Sequence, residues 1–328
     1  TAICVLMGAI SALFTEFGFV ALINRMLQPL MKPVYGMPGA ASLGLLNTFL
    51  SDNPAILSLA DNKDFRRYFK TYQFPALANL SLGMGLIVCS YLMGLPLGDG
   101  QSAKKAVAVG AIGAICGSII STRLMLIFSR KAYDANASLD DQSGTDMSAK
   151  SGMRTVRNGS IVSRIVSSIL DGGQNGLKMG ISIIPGVLII CTIVMMLLRG
   201  PGSDGTYTGA AYEGISLLPS IAGKLRFILQ PLFGFTSSEA VGVPITALGA
   251  AGAAIGLASS LVSQGLAGAN DIAVFTAMCM CWSGFLSTQV SLMDSLHCKE
   301  LTGKSVLCRT IGGLCAGTIA HWLYVIVC

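Results

Sequence analysis

Apolar and polar positions alternate along this chain in long blocks rather than residue by residue, and blocks of that length predict helices. Residues 1–22 form a first apolar run, broken only by Glu16 and small residues. Further runs follow at about 71–97, 106–129, 177–198, 270–293 and 305–327. Each is near the roughly 20 apolar residues that a bilayer crossing needs. Two other apolar stretches, about 37–60 and 236–268, are interrupted. In the first, Asn47-Thr48-Phe49-Leu50-Ser51-Asp52-Asn53-Pro54 lies between flanks that begin at Gly39 and end at Ala60. Neither flank is long enough to span. A carboxylate, two amides and a proline at membrane depth are costly unless they line a cavity. The stretch therefore predicts a broken, re-entrant helix pair with its tip aimed at a binding site. The alternative is a surface loop between two short core helices. The second stretch, with Ser237-Ser238-Glu239 and a Gly/Ala run from Gly249 to Gly256, predicts a second hairpin.

Composition decides between these alternatives. Of the residues, 52% are hydrophobic and 12% charged, with a mean hydropathy of +0.67. A soluble chain carries about a quarter charged residues. The expectation is an all-α integral membrane protein, multi-pass in the cell membrane, with about six spanning helices and two re-entrant hairpins. The net charge of +6 is a matter of topology and not of nucleic acid, because the basic residues cluster in loops. Most of the 10 cysteines lie inside apolar segments and read as small hydrophobes. The chain opens at Thr1 inside an apolar run, as a trimmed or partial chain would, so no targeting segment is read from it.

Polar stretches divide the chain. Asn24 to Pro33 mixes basic residues, methionine and proline and predicts a helix along the interface; Asp61 to Lys70 is a charged loop. Residues 129–159 form a polar linker, followed by an amphipathic stretch from Ile161 to Leu170. The expected organisation is a first repeat at 1–130, a cytoplasmic linker at 131–160 and a second repeat at 161–328. The halves share Leu27-Gln28-Pro29-Leu30 with Leu229-Gln230-Pro231-Leu232, and Lys104, Gly113, Gly117 with Lys304, Gly313, Gly317. Placing the basic regions in the cytoplasm makes the first hairpin open from that side and the second from the other. Two similar units in opposite orientation are the inverted repeat of a secondary transporter. Lys104 and Lys105 fall outside in this scheme, against the trend.

Ionisable and amide groups at membrane depth are functional candidates by default. Ser51, Asp52 and Asn53 at the first tip are the leading solute contacts, although Asp52 also reads as a helix cap. Glu239 reads equally as a solute or proton group and as a solvated residue at the hairpin entrance. Ser287, Thr288 and Gln289 form a polar step that suits a cavity wall or, more commonly, interhelical hydrogen bonding. Glu16, Asp171 and Lys178 suit pairing within the scaffold, His297 a loop and His321 a packed position. No His-Glu-x-x-His, Gly-x-Ser-x-Gly or Cys/His metal pattern is present, so the chain is not read as an enzyme.

Asp171-Gly-Gly-Gln-Asn-Gly-Leu-Lys-Met-Gly before a span, Leu-Gln-Pro-Leu-Phe-Gly before a small-residue hairpin, and Cys281-Trp-Ser-Gly-Phe-Leu-Ser-Thr followed by Cys308-Arg-Thr-Ile-Gly-Gly together resemble concentrative nucleoside transporters. Gln28-Pro-Leu-Met-Lys-Pro resembles the wider nucleoside-recognition gate proteins, including the spore-maturation type. The resemblance implies the scaffold, a homotrimer, and a candidate sodium site at Asn47, Leu50 (carbonyl), Ser81 and Leu82 (carbonyl), with Asn47 as a plain helix cap the alternative. Sodium is the only cofactor it implies. Gly-Gln-Thr-Glu, the family's nucleoside contact, is absent. The usual Asn-Glu of the second hairpin is replaced by apolar residues near Ile255-Gly256, and Asn-Phe-Ser by Phe285-Leu286-Ser287. The function expected is sodium- or proton-coupled secondary transport of a small polar solute, with nucleosides implied first. The alternative is a gate-fold membrane protein acting as a partner or assembly factor.

Overall fold

The computed structural model describes residues 5–6, 9, 12–13, 16–53, 55–56, 66, 68–98, 102–133, 159–198, 200–201, 206–209, 213–215, 217–224 and 226–328. Among these residues there are twelve α-helices and no β-strand. The first half holds α1 (Phe19–Leu30), α2 (Ala41–Leu50), a 3-10 segment (Thr71–Asn79), α3 (Gly85–Met93) and α4 (Ala103–Ala132). The second holds α5 (Ile161–Leu198), α6 (Leu217–Lys224), α7 (Arg226–Phe233), α8 (Gly242–Gly249), α9 (Ala251–Ser263), α10 (Ala269–Trp282), α11 (Phe285–Ser295) and α12 (Thr302–Val327).

Two long apolar helices, α4 and α12, make the principal contact of the molecule, and α10 packs against both. Their small residues are the cause. A Cβ at Gly117 would lie 2.5 Å from the Ala316 Cβ and 2.5 Å from the Gly312 carbonyl oxygen, and one at Gly312 would lie 2.6 Å from the Ser121 Cβ. Without side chains there, the backbones approach closely, as helices in lipid do. The contacts also fix the direction. Gly113 meets Ala316 and Ala320, Gly117 meets Gly312 and Ala316, and Lys304 lies over the Phe128 ring at 5.9 Å. Numbers rise along α4 as they fall along α12, so the two helices are antiparallel. The halves are inverted repeats.

The same order recurs in each half: an amphipathic helix containing Leu-Gln-Pro-Leu, a hairpin, a broken helix and a long helix. Gly36 (φ 73°) and Gly234 (φ 60°) turn the chain from α1 and α7 into the hairpins. Both breaks begin their second half-helix with a left-handed residue, Met84 (φ 52°) and Gly284 (φ 66°). Each of these residues donates its N–H to the first arm of its own hairpin, Met84 to the Thr48 carbonyl at 3.1 Å and Gly284 to the Ala247 carbonyl at 2.7 Å.

Three details revise the pattern read from sequence. The run at 71–97 is a 3-10 segment, an extended link over 80–82 and a short helix, with Pro75 and Gly83 on the way; the run at 270–293 breaks at Ser283-Gly284. Continuous apolarity concealed both breaks, since a buried link is as apolar as a buried helix. The amphipathic stretch at 161–170 and the span at 177–198 are one helix, α5, whose 38 residues rise about 57 Å at 1.5 Å per residue, well beyond a hydrocarbon core of about 30 Å. The tip of the second hairpin is Ala250, extended at φ −160°. Ile255 and Gly256 therefore lie within its second arm, α9, rather than at the tip. Ten of the 22 residues of the first span, the return arm of the first hairpin beyond Ile56, and the linker at 134–158 lie outside the described residues.

Candidate functional site at the meeting of the hairpin tip and the two helix breaks

The first hairpin does what its sequence requires at Ser51. There α2 stops, with φ −125° and ψ −98°, and helix resumes at Ala55–Ile56 through bonds from Ala55 N to Asp52 O and Ile56 N to Asn53 O, 3.0 and 3.2 Å. The tip so formed reaches the break in the other repeat. Asn53, fully buried, donates its side-chain amide to the Ser283 carbonyl at 2.9 Å. The Ser283 hydroxyl donates to Asp52 Oδ1 at 2.8 Å, and the Asn53 N–H donates to the same oxygen at 2.7 Å. Gly83, in the first repeat's own break, completes the junction. A Cβ there would lie 2.7 Å from both Cβ and Oγ of Ser283 and 2.9 Å from Asn53 Oδ1.

One side of this junction is a fully buried polar cluster. The Arg309 side chain, 1% exposed, enters from α12. It donates from Nε to the Cys281 carbonyl at 3.0 Å, and from Nη1 to the Ala78 carbonyl at 2.9 Å and to Gln289 Oε1 at 3.1 Å. The two carbonyls lie just before the two breaks, so one guanidinium ties both. Its ring neighbour is Phe285, 5.6 Å away. Gln289 donates in turn to the Ala78 carbonyl at 3.3 Å and to Ser305 Oγ at 2.5 Å. Asn79 joins Ser121 Oγ and the Ser305 carbonyl, both at 3.0 Å, and accepts from the Ser305 hydroxyl at 2.7 Å. Asp52 and Arg309, of opposite charge, attract across the centre.

Residues predicted from sequence fall at different distances from this centre. Asp52, Asn53 and Gln289 belong to it. Thr288 is buried and donates to the Gly284 carbonyl at 3.1 Å, within its own helix. The Ser287 side chain is outside what the structure describes. Glu239 is exposed in the 3-10 turn before α8, where it accepts from Ser238 Oγ at 3.2 Å. Of the sodium candidates, Leu50, Ser81 and Leu82 are buried and Asn47 is half-buried. Among the described residues the Ser81 hydroxyl has no oxygen or nitrogen partner, and its side-chain neighbour is the Cys281 thiol. The bond from Met84 to Thr48 holds the 80–84 link beside the end of α2. Glu16 pairs with Arg164 on α5 at 2.7 Å, and His321 is held by Asn270 at 2.8 Å.

Arg309, Trp282, Ser283 and Asn79 were not read as site residues. For Arg309 the signal was available, since it is the lone charge in the apolar run 305–327, and such a residue marks function by default. Ser283 and Asn79 gained their roles only from breaks that the sequence did not reveal.

This arrangement of two inverted repeats, two hairpins and two broken helices around a polar centre is the fold of a secondary transporter. Comparison with solved structures gives it a more specific identity. The chain superposes on the transporter CNTnw in an inward-facing substrate-bound state with a TM-score of 0.60 at 14% identity, over 99% of this chain and 74% of that one. An outward-facing variant of CNTnw gives a TM-score of 0.56 at 14% identity over 99% and 74%. A variant in an intermediate state gives 0.55 at 16% identity over 97% and 73%. No protein-family model matches the chain, and no curated protein matches it in sequence. The protein is an all-α membrane protein with the concentrative nucleoside transporter fold.

Proposed function

We propose that the protein is a secondary transporter that moves a small polar solute by alternating access, with Asp52 and Asn53 of the first hairpin tip in contact with the solute. The observation that carries this reading is the junction itself: a polar hairpin tip from one repeat closes on the helix break of the oppositely oriented repeat, at a centre containing buried charge. Sodium or proton coupling is part of the proposal. Asn47, Leu50, Ser81 and Leu82 would hold a sodium ion through amide, hydroxyl and main-chain oxygens. That Ser81 Oγ is buried without an oxygen or nitrogen partner among the described residues supports this set. The trimer and the location in the cell membrane belong to the same proposal.

Nucleosides are the first solutes to test, but the polar residues by which the family's pattern meets them are replaced here, and hairpin 2 presents Ala247, Leu248, Gly249 and Ala250 around its tip. That replacement favours a second reading, a gate-fold assembly factor. Stability of the purified protein against nucleosides, bases, amino acids and small acids, with and without sodium, separates the two. A ligand bound only by the folded protein at a hundredfold excess over Kd stabilises it by about 2.7 kcal/mol. The transporter reading expects at least one solute to do so and Asp52→Ala to abolish the effect. A flat panel together with a co-purifying partner supports the assembly factor.

A further inference from the structure

Buried polar atoms that lack partners cluster at the centre just described, and they are unbalanced. Among the described residues Arg309 Nη2, Trp282 Nε1 and Asn53 Oδ1 have no hydrogen-bond partner, and Ser81 Oγ has none beyond the Cys281 thiol. The first two can only donate, the hydroxyl can do either, and only the amide oxygen is restricted to accepting. Arg309 and Trp282 are also neighbours. The Arg309 Nε–H is bonded to the carbonyl of Cys281, the residue before Trp282. The Trp282 indole, 5% exposed, lies on Gly313, whose missing side chain makes room for its Nε1 edge. Residues 309 and 313 are one turn apart on the same face of α12. Two groups that can only donate, neither with a partner among the described residues, therefore lie along one helix face, at the break that receives the Asp52 hairpin tip.

Charge points the same way. Among the described buried residues the charged side chains are Glu16, Asp271 and Arg309. Glu16 is paired with Arg164, and Asp271 accepts from Gly268 N at 2.8 Å and from Thr236 N at 3.0 Å. Arg309 is bonded only to neutral oxygens. A buried guanidinium held this way keeps its full charge and leaves the planar Nη2 group free to donate, a charge-assisted donor suited to an anionic oxygen.

We infer that the centre binds solutes through an anionic group, a carboxylate in the simplest case, received by Arg309 Nη2 with the Trp282 indole N–H as second donor. This rests on the reading of the centre as a solute site and names the chemical class of the solute. Neutral isosteres lack both the charge and the second acceptor oxygen.

The test uses the purified full chain and matched acid and amide pairs: acetate with acetamide, benzoate with benzamide, orotate with orotamide. Thermal stability is measured for the wild type, Trp282→Phe, Arg309→Lys and Arg309→Met. The expected result is stabilisation by acids and not by their neutral partners. Affinity should fall about tenfold or more in Arg309→Met and severalfold in Trp282→Phe. Arg309→Lys should retain part of it, because a point charge replaces the planar edge. Trp282→Phe keeps an aromatic ring on Gly313 and remains informative where Arg309→Met fails to fold. Equal responses to acid and neutral members, a flat acid series, or undiminished binding in Trp282→Phe and Arg309→Met would overturn the assignment. Vesicle uptake keeps the two proposals apart. Transport of a neutral solute without acid binding removes the anion assignment alone, whereas acid binding without transport removes the transporter reading alone.

Discussion

Gly83 and Ser283 are 200 positions apart and belong to opposite repeats, yet there is no room for a methyl group between them. An alanine Cβ at 83 would lie 2.7 Å from Ser283 Cβ and Oγ, where ordinary contact begins at 3.4 Å. The neighbours would have to retreat by about 0.7 Å, and overpacking of a buried junction costs about 1–3 kcal/mol. Ser283→Gly alone loses the hydroxyl bond to Asp52 Oδ1 at 2.8 Å, worth about 1.5–3 kcal/mol for a charged acceptor; because Asp52 is only half-buried, the lower end applies. In the double variant the two shortest contacts are gone, because glycine offers neither Cβ nor Oγ, and only the 2.9 Å approach to Asn53 Oδ1 is left. The two effects should therefore be non-additive by about 1–2 kcal/mol. Reversible unfolding in mixed micelles measures all four corners of this cycle. Additivity within about 0.5 kcal/mol would mean that the two breaks do not meet, and the architecture of the centre would be wrong.

Other consequences can be checked separately. Gln289→Leu removes partners from Arg309 Nη1 and Ser305 and should cost about 1–3 kcal/mol for the groups left unpaired, read in the same unfolding assay. Gly117→Ala forces α4 from α12 and should destabilise by about 1–2 kcal/mol, the overpacking cost less the helix propensity gained. Gly256→Ala, with open space around its Cβ position, should instead stabilise by about 0.4–1 kcal/mol; the opposite signs of these two glycines separate packing from propensity. If Asn47 helps to hold sodium, Asn47→Ala should abolish sodium-dependent stabilisation without lowering stability in its absence by more than about 1 kcal/mol. A loss of stability that is the same with and without sodium would give Asn47, which lies inside α2, a packing role only.

Much of this architecture was legible because lipid imposes a simple rule: a polar cluster such as Ser51-Asp52-Asn53 between short apolar flanks has nowhere to go except a tip. The repeat was legible for a related reason. Gly113 and Gly117 are bare where α4 crosses α12 at Gly312, Ala316 and Ala320, whereas their counterparts Gly313 and Gly317 are bare where α12 receives Trp282 and Met278 of α10. The breaks were not legible. Asn79 to Gly83 and Ser283-Gly284 are small, buried and embedded in apolar sequence, so periodicity cannot distinguish them from continuous helix. Arg309 was visible as a charge, but its meaning depended on the carbonyls of Ala78 and Cys281, exposed by breaks that only the folded chain reveals. The second tip had no position in the sequence reading, because a run of glycine and alanine gives no mark of where it turns; the structure places it at the extended Ala250.

The central claim is that the hairpin tip and the two breaks form a solute pathway, and uptake into sealed vesicles tests it most directly. The protein, reconstituted alone, is supplied with labelled nucleosides and small carboxylic acids under an imposed sodium or proton gradient. The account predicts gradient-driven accumulation of at least one solute, lost in Asp52→Ala and Arg309→Met and retained in Gly256→Ala. Absence of uptake for the whole set by a protein whose unfolding remains cooperative, or uptake indifferent to Asp52 and Arg309, would contradict it.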